Sequence, residues 1–121
     1  MKTMFQKIWD RHVVVPETAD TPAVLFIDLH LIHEVTTPQA FTQLREQGLK
    51  VRRTDLTIGT MDHSTPTRTE QVFGGVPFSI ESAAQQVDQF EKNCTEFGVE
   101  VLNLRNQQRG IVHIIGPELG L

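Results

Sequence analysis

A chain of 121 residues has the length of one domain and can bury roughly two-thirds of its unfolded surface around a modest core. With 39% hydrophobic residues, 21% charged residues and a net charge of -4, it has the composition of an ordinary soluble chain and not that of a disordered segment. Its eleven Lys and Arg are scattered, and the densest group, Lys50-Val51-Arg52-Arg53, reads as a solvated turn, so no nucleic-acid partner is expected.

In chain order, Met4, Phe5, Ile8 and Trp9 recur at helical spacing after Thr3, a good N-cap, which predicts a short amphipathic helix over 3–12. Residues 17–22 form a polar turn rich in Thr, Asp and Pro. The unbroken apolar run that follows, 23–28, predicts a strand covered on both faces. Pro38 suits the first turn of a helix capped by Thr36 or Thr37, with Phe41 and Leu44 on its apolar side and a stop at Gly48. Residues 56–61 predict a second strand. Gly74-Gly75-Val76-Pro77 breaks the chain, and Ser79 with Ser82 opens a long helix through Val87, Phe90, Cys94 and Phe97, closed by Gly98.

Residues 99–104 predict a third strand, and 111–115 are either a fourth strand or the apolar entry to a helix. Alternating strands and helices imply an α/β fold, a three-layer αβα arrangement with a mostly parallel sheet, whose ligands gather beyond the carboxyl ends of the strands. The closing Gly116-Pro117-Glu118-Leu119-Gly120-Leu121 reads as a connection into a further strand, so the natural polypeptide is expected to continue. The longest apolar run is too short to span a bilayer, and no signal peptide is evident.

The chemistry centres on Thr60-Met61-Asp62-His63-Ser64-Thr65-Pro66-Thr67. A carboxylate beside an imidazole can fix its tautomer and stabilise its protonated form, so that the ring donates a proton near neutral pH. The plainer alternative is a strand end whose Asp caps the next turn. His30 and His33 lie three apart with Glu34 adjacent, a spacing that does not match zinc-peptidase motifs; a metal site built from His30, His33 and His63 is the weakest reading. Gln39 falls in a helix first turn, where N–H groups attract anions. His113, flanked by Ile111, Val112, Ile114 and Ile115, reads as a core histidine or as a catalytic group in a dry pocket. Cys94, the only cysteine, lies on an apolar helix stripe and reads as core packing; one cysteine permits no internal disulfide and fits a reducing, cytoplasmic setting.

Four segments in order carry a resemblance: Phe26-Ile27-Asp28-Leu29-His30-Leu31-Ile32-His33-Glu34-Val35-Thr36-Thr37-Pro38-Gln39-Ala40-Phe41, the Thr60 to Thr67 stretch, Asn93-Cys94-Thr95-Glu96-Phe97-Gly98-Val99, and Gly110-Ile111-Val112-His113-Ile114-Ile115-Gly116-Pro117-Glu118. Together they resemble the start of the large subunits of the 3-isopropylmalate dehydratase (isopropylmalate isomerase) branch of the aconitase family. That resemblance implies an aconitase-like amino-terminal domain, incomplete here. It also implies an iron-sulfur hydro-lyase that interconverts 2- and 3-isopropylmalate in leucine biosynthesis. The implied active-site groups are the catalytic residues Asp62, His63 and His113 and the substrate-binding Gln39. No catalytic role is carried onto His30, His33 or Glu34.

The resemblance further implies a [4Fe-4S] cluster whose three cysteine ligands are not in this chain, and a Gly-Asp-Ser-His-Thr motif that is also absent. The partner would be a small subunit that supplies a serine base, in a heterodimer acting on a hydroxy-dicarboxylate substrate. On this reading the isolated chain is a partial active site, without cluster or turnover. The alternatives are a dehydratase of a related acid, such as methylmalate or homoaconitate, and a truncated, non-catalytic domain that binds a carboxylate or a subunit. The chain's missing sheet neighbours would leave apolar edges exposed and make it weakly stable alone.

Overall fold

The computed structural model describes residues 1–68 and 80–121. Helix α1 (Met4–His12) opens with a capping box: the Thr3 hydroxyl accepts from the Gln6 N–H at 3.2 Å, and the Gln6 side-chain oxygen accepts from the Thr3 N–H at 2.9 Å. It runs into β1 (Val13–Val15), a turn in which the Thr18 and Thr21 hydroxyls meet at 2.8 Å, and β2 (Val24–Leu25). The two strands pair antiparallel, Val13 against Leu25.

This ribbon corrects the strand expected over 23–28. Only two of those residues are in a strand, and Val24 and Ile27 are 53% and 66% exposed. The run finds its partner locally, in Val13–Val15 across a short polar turn, which costs far less loop-closure entropy than a central place in a parallel sheet. The ribbon is tied back by His12, whose Nδ1–H donates to the Ile8 carbonyl at 2.7 Å and whose Nε2–H donates to Asp28 at 2.8 Å.

The main sheet has three strands in the order β3-β4-β5, all parallel: β3 (His30–His33), β4 (Thr57–Thr60) and β5 (Glu100–Leu102). Helix α2 (Pro38–Glu46) follows β3, and a single 3₁₀ turn (Thr54–Leu56) leads into β4. Helix α3 (Glu81–Phe97) precedes β5, and α4 (Val112–Leu119) follows it. The apolar segment at 111–115 is therefore the entry to a helix. Thr37 stands at the N-cap of α2 without a side-chain capping bond, because its hydroxyl accepts from the His33 N–H at 3.2 Å instead. Helix α3 starts at Glu81, with Ser82 inside its first turn; Ser79 lies outside the described residues. It ends where Gly98 takes φ 70°, a left-handed conformation that a side chain would strain.

Alternation along the strands sorts the layers. Ile32, Gly59 and Val101 share one face of the sheet by register, and there Ile32 packs with Phe41 of α2 and Val87, Phe90 and Cys94 of α3. Leu31 points the other way, onto α4, where its Cδ1 would lie 3.6 Å from a Cβ on Gly116. The chain is thus an α/β domain with helices on both faces of a parallel sheet, as the sequence led one to expect. Arg45 fastens α2 to α3: it donates to Glu96 at 3.0 and 2.6 Å and to Asn93 at 2.9 Å, and stands 5.6 Å over the Phe97 ring. No helix of the described residues is long and apolar enough to cross a membrane.

Two outcomes follow from this packing. A Cβ at Gly59 would sit 3.0 Å from Phe90 Cζ and 3.3 Å from Cys94 Sγ, so Gly59→Ala is expected to destabilise the protein by about 1–3 kcal/mol in urea unfolding. The second concerns pH. The Ile8 carbonyl, and then Asp28, hold the His12 imidazole above its ordinary value of 6.5, and the His12 hydrogen bond holds the Asp28 carboxyl below 3.8. The His12 contribution is full below 6.5 and is lost as pH rises through the raised folded value; that of Asp28 is full above 3.8 and is lost as pH falls through the lowered one. The tie is tightest between 3.8 and 6.5, and Trp9 fluorescence is expected to change as pH rises beyond that window in the wild type but not in His12→Gln.

Candidate active site

Strands β3 and β4 run parallel with His33 beside Thr60, so the residues that leave their carboxyl ends, Glu34 and 61–64, emerge side by side. Glu34 is fully buried there. Its Oε2 accepts from the Asp62 N–H at 3.2 Å; its Oε1 accepts from the His63 N–H at 2.7 Å and from the Ser64 N–H. Three consecutive backbone donors therefore converge on one carboxylate. The Ser64 hydroxyl, donating to Gln86 Oε1 at 2.7 Å, ties the same loop to α3.

The loop orientation sets the side chains. Asp62 is almost wholly buried, 3% exposed, and uses both oxygens: Oδ1 accepts from the His63 ring at Nδ1, and Oδ2 accepts from the Val112 N–H at 2.7 Å. Val112 is the first residue of α4, so Asp62 satisfies one of that helix's open N–H groups and places an acid at its positive end. Thr60 adds a second tie to the approach of α4, its hydroxyl donating to the Gly110 carbonyl at 2.9 Å.

His63 is half exposed. A carboxylate only accepts, so the hydrogen at this contact is on Nδ1, and Nε2 is the ring atom left for other chemistry. One face of the ring is stacked on His33, centroids 4.2 Å apart and planes 18° from parallel. His33 is itself held at both nitrogens: Nδ1 accepts from the Val35 N–H at 3.4 Å, and Nε2–H donates to the Thr36 hydroxyl at 3.3 Å.

His33, His63 and His113 line a single open cleft of about 420 Å³ together with Leu31, Gly116 and Pro117. Of the residues singled out in the sequence, Asp62, His63 and His113 are thus brought together. His113 is exposed on α4 and is not a core histidine. Pro117, four residues on from it, has no N–H to give the His113 carbonyl. Gln39 is exposed in the first turn of α2 and is not among the cleft-lining residues.

Cys94 packs in the core as expected, with no exposed surface, and burial, followed by the charge of Glu91, pushes its thiol up to about 12, so it is no thiolate ligand. His30, at the far end of β3, is three residues from His33, roughly 10 Å along a strand, and a site of His30, His33 and His63 does not form. His33, Glu34, Asp62 and His63 do offer ligand atoms within 4.8 Å of one another, but the Glu34 and Asp62 oxygens, both His33 nitrogens and His63 Nδ1 are already engaged in the hydrogen bonds above, which leaves His63 Nε2 alone free. Sequence reasoning weighed His33 and Glu34 and carried no catalytic role onto them, and it did not find their contacts with the loop after β4. The available signal was an acid directly after a strand, beside a second strand that ends in an acid-histidine pair.

An acid-histidine pair stands at the carboxyl edge of a parallel sheet, where α/β folds gather their ligands, and comparison makes the family specific. Residues 6–121 match the model of the aconitase family (aconitate hydratase), and the chain belongs to that family. It is 59% identical over 120 residues to the 3-isopropylmalate dehydratase large subunit of Roseiflexus castenholzii and 56% identical over 119 residues to that of Anaeromyxobacter dehalogenans. These alignments cover 99% and 98% of this chain and 25% of each relative, so the chain spans about a quarter of their length. No solved structure gives a significant match.

Asp62→Asn is expected to cost about 1–3 kcal/mol of stability, because an amide offers one acceptor to two donors and turns its NH₂ against the other. Hydrogen exchange at the Val112 amide checks this: it is expected to quicken, and unchanged protection there would count against the assignment.

Proposed function

We propose that this chain is the amino-terminal part of the large subunit of a 3-isopropylmalate dehydratase, a cytoplasmic hydro-lyase that interconverts 2- and 3-isopropylmalate through isopropylmaleate in leucine biosynthesis. Supporting this are the family match, the two large-subunit relatives and, above all, one observation: His63, with Nδ1 given to Asp62, shares a cleft with His113. The term "large subunit" in the relatives' names supports a heterodimer in which a small subunit completes the site.

Dehydration of a hydroxy acid expels hydroxide, a poor leaving group, unless a proton reaches it as the bond breaks. On this reading His63 gives that proton from Nε2, and Asp62, bonded to Nδ1, keeps the ring oriented for rehydration at the neighbouring carbon. His33, stacked against one face, restricts rotation of the His63 ring and shields that face from water. His113 supplies a second imidazole across the cleft, for the substrate's carboxylate or the departing water. Gln39 would meet a substrate carboxylate only once the remainder of the protein closes over the first turn of α2. The base that takes the carbon-bound proton, a serine, would come from the small subunit.

A [4Fe-4S] cluster in the complete enzyme would supply Lewis acidity toward the substrate's hydroxyl and carboxylate. With Cys94 its only cysteine, buried in the core, this chain provides no thiolate set for such a cluster, whose ligands belong to the rest of the large subunit.

The decisive experiment assays the complete large subunit with its small subunit on 2-isopropylmalate, methylmalate and homoaconitate. Turnover is expected to be fastest on 2-isopropylmalate. His63→Asn is expected to lower kcat by about 10²–10⁴-fold with little change in KM. The isolated 121-residue chain is expected to be inactive, and iron-dependent turnover by it alone would overturn the partial-site reading.

A further inference from the structure

We propose that Glu34 is the positioning residue of the Asp62-His63 pair. This inference rests on the hydro-lyase reading above and assigns the component that makes the pair geometrically defined. Glu34 lies outside the cleft, so it acts through the backbone and not on substrate. The N–H groups of Asp62, His63 and Ser64 all point to its two oxygens, which fixes the peptide planes on both sides of His63. With those planes set, the Asp62 side chain reaches both the His63 ring and the Val112 N–H, and the His63 ring comes to lie flat on His33. Hydrogen bonds to an ionised acceptor are stronger than those between neutral groups, and here three of them, from consecutive residues, end on one side chain.

The geometry also explains why an acid stands there. Three donors need at least two acceptor atoms and no donor among them. A carboxylate meets that condition, and a glutamine does not, since its NH₂ would face a backbone N–H in whichever orientation it took. An alanine would leave three amides facing a dry interior with no acceptor.

The test uses the complete enzyme with its small subunit, as wild type, Glu34→Gln and Glu34→Ala, with two readouts. In steady-state kinetics, kcat is expected to fall about 100-fold in Glu34→Ala and less in Glu34→Gln, which keeps one acceptor, with KM within about threefold of wild type. In amide hydrogen exchange, protection at 62–64 is expected to drop while β4 (Thr57–Thr60) stays protected. Unchanged protection at 62–64 in Glu34→Ala overturns the proposal, as does a wild-type kcat despite faster exchange there. Equal loss of protection through β4 in both variants overturns it too, by making Glu34 a residue of the fold at large. An inactive wild-type enzyme would refute the hydro-lyase reading, while the exchange comparison would still decide whether Glu34 anchors the loop.

Discussion

One buried carboxylate organises this molecule. Glu34 leaves the end of β3 into a space that side chains from the core face of the sheet have already closed to water, and the loop after β4 can settle there only by turning three N–H groups toward it. An unpaired carboxylate in such a place would be costly, and so would three unpaired amides; each cost is removed by the other group. The loop has little freedom left as a result. The direction of the Asp62 side chain, the face His63 shows to the cleft and the height at which α4 begins all follow from that contact.

The layers contribute by placing two strand ends next to each other. Phe41, Phe90 and Cys94 fill the space beneath Ile32 and Gly59, and the bare Cα of Gly59 lets the Phe90 ring come down onto β4. On the opposite face α4 crosses Leu31 and carries His113 toward His63. A sheet of three short strands would be a thin support on its own. Here the register His33 beside Thr60 is secured above by the loop's attachment to Glu34 and below by the packing of α3.

Much of this was legible in the chain itself. Thr3, Pro38, Gly48 and Gly98 marked helix ends through backbone chemistry that depends only on near neighbours, and the apolar stripe of α3 announced its buried face. The acid-histidine pair stood out because both partners are adjacent in sequence. Residues 23–28 misled because an apolar run says that it wants cover without saying where the cover comes from, and here a hairpin partner just upstream, Val13–Val15, took it. Glu34 was noticed only as a neighbour of His33, and its hold on the next loop stayed hidden for a related reason: its partners are backbone amides 28 to 30 residues away, and a backbone amide leaves no mark in a sequence. His113 looked like a core residue because its neighbours are isoleucines, yet on a helix those neighbours face elsewhere.

Asp62 divides its two oxygens between a ring at the surface of the cleft and the first amide of α4. The orientation of the ring and the placement of the helix are therefore vested in the same side chain. A descendant of this domain that abandoned catalysis could let His63 drift at little cost, but it would be compelled to retain the aspartate to keep α4 in place. Persistence of an acid at this position is thus poor testimony to activity, and the histidine beside it is the better witness.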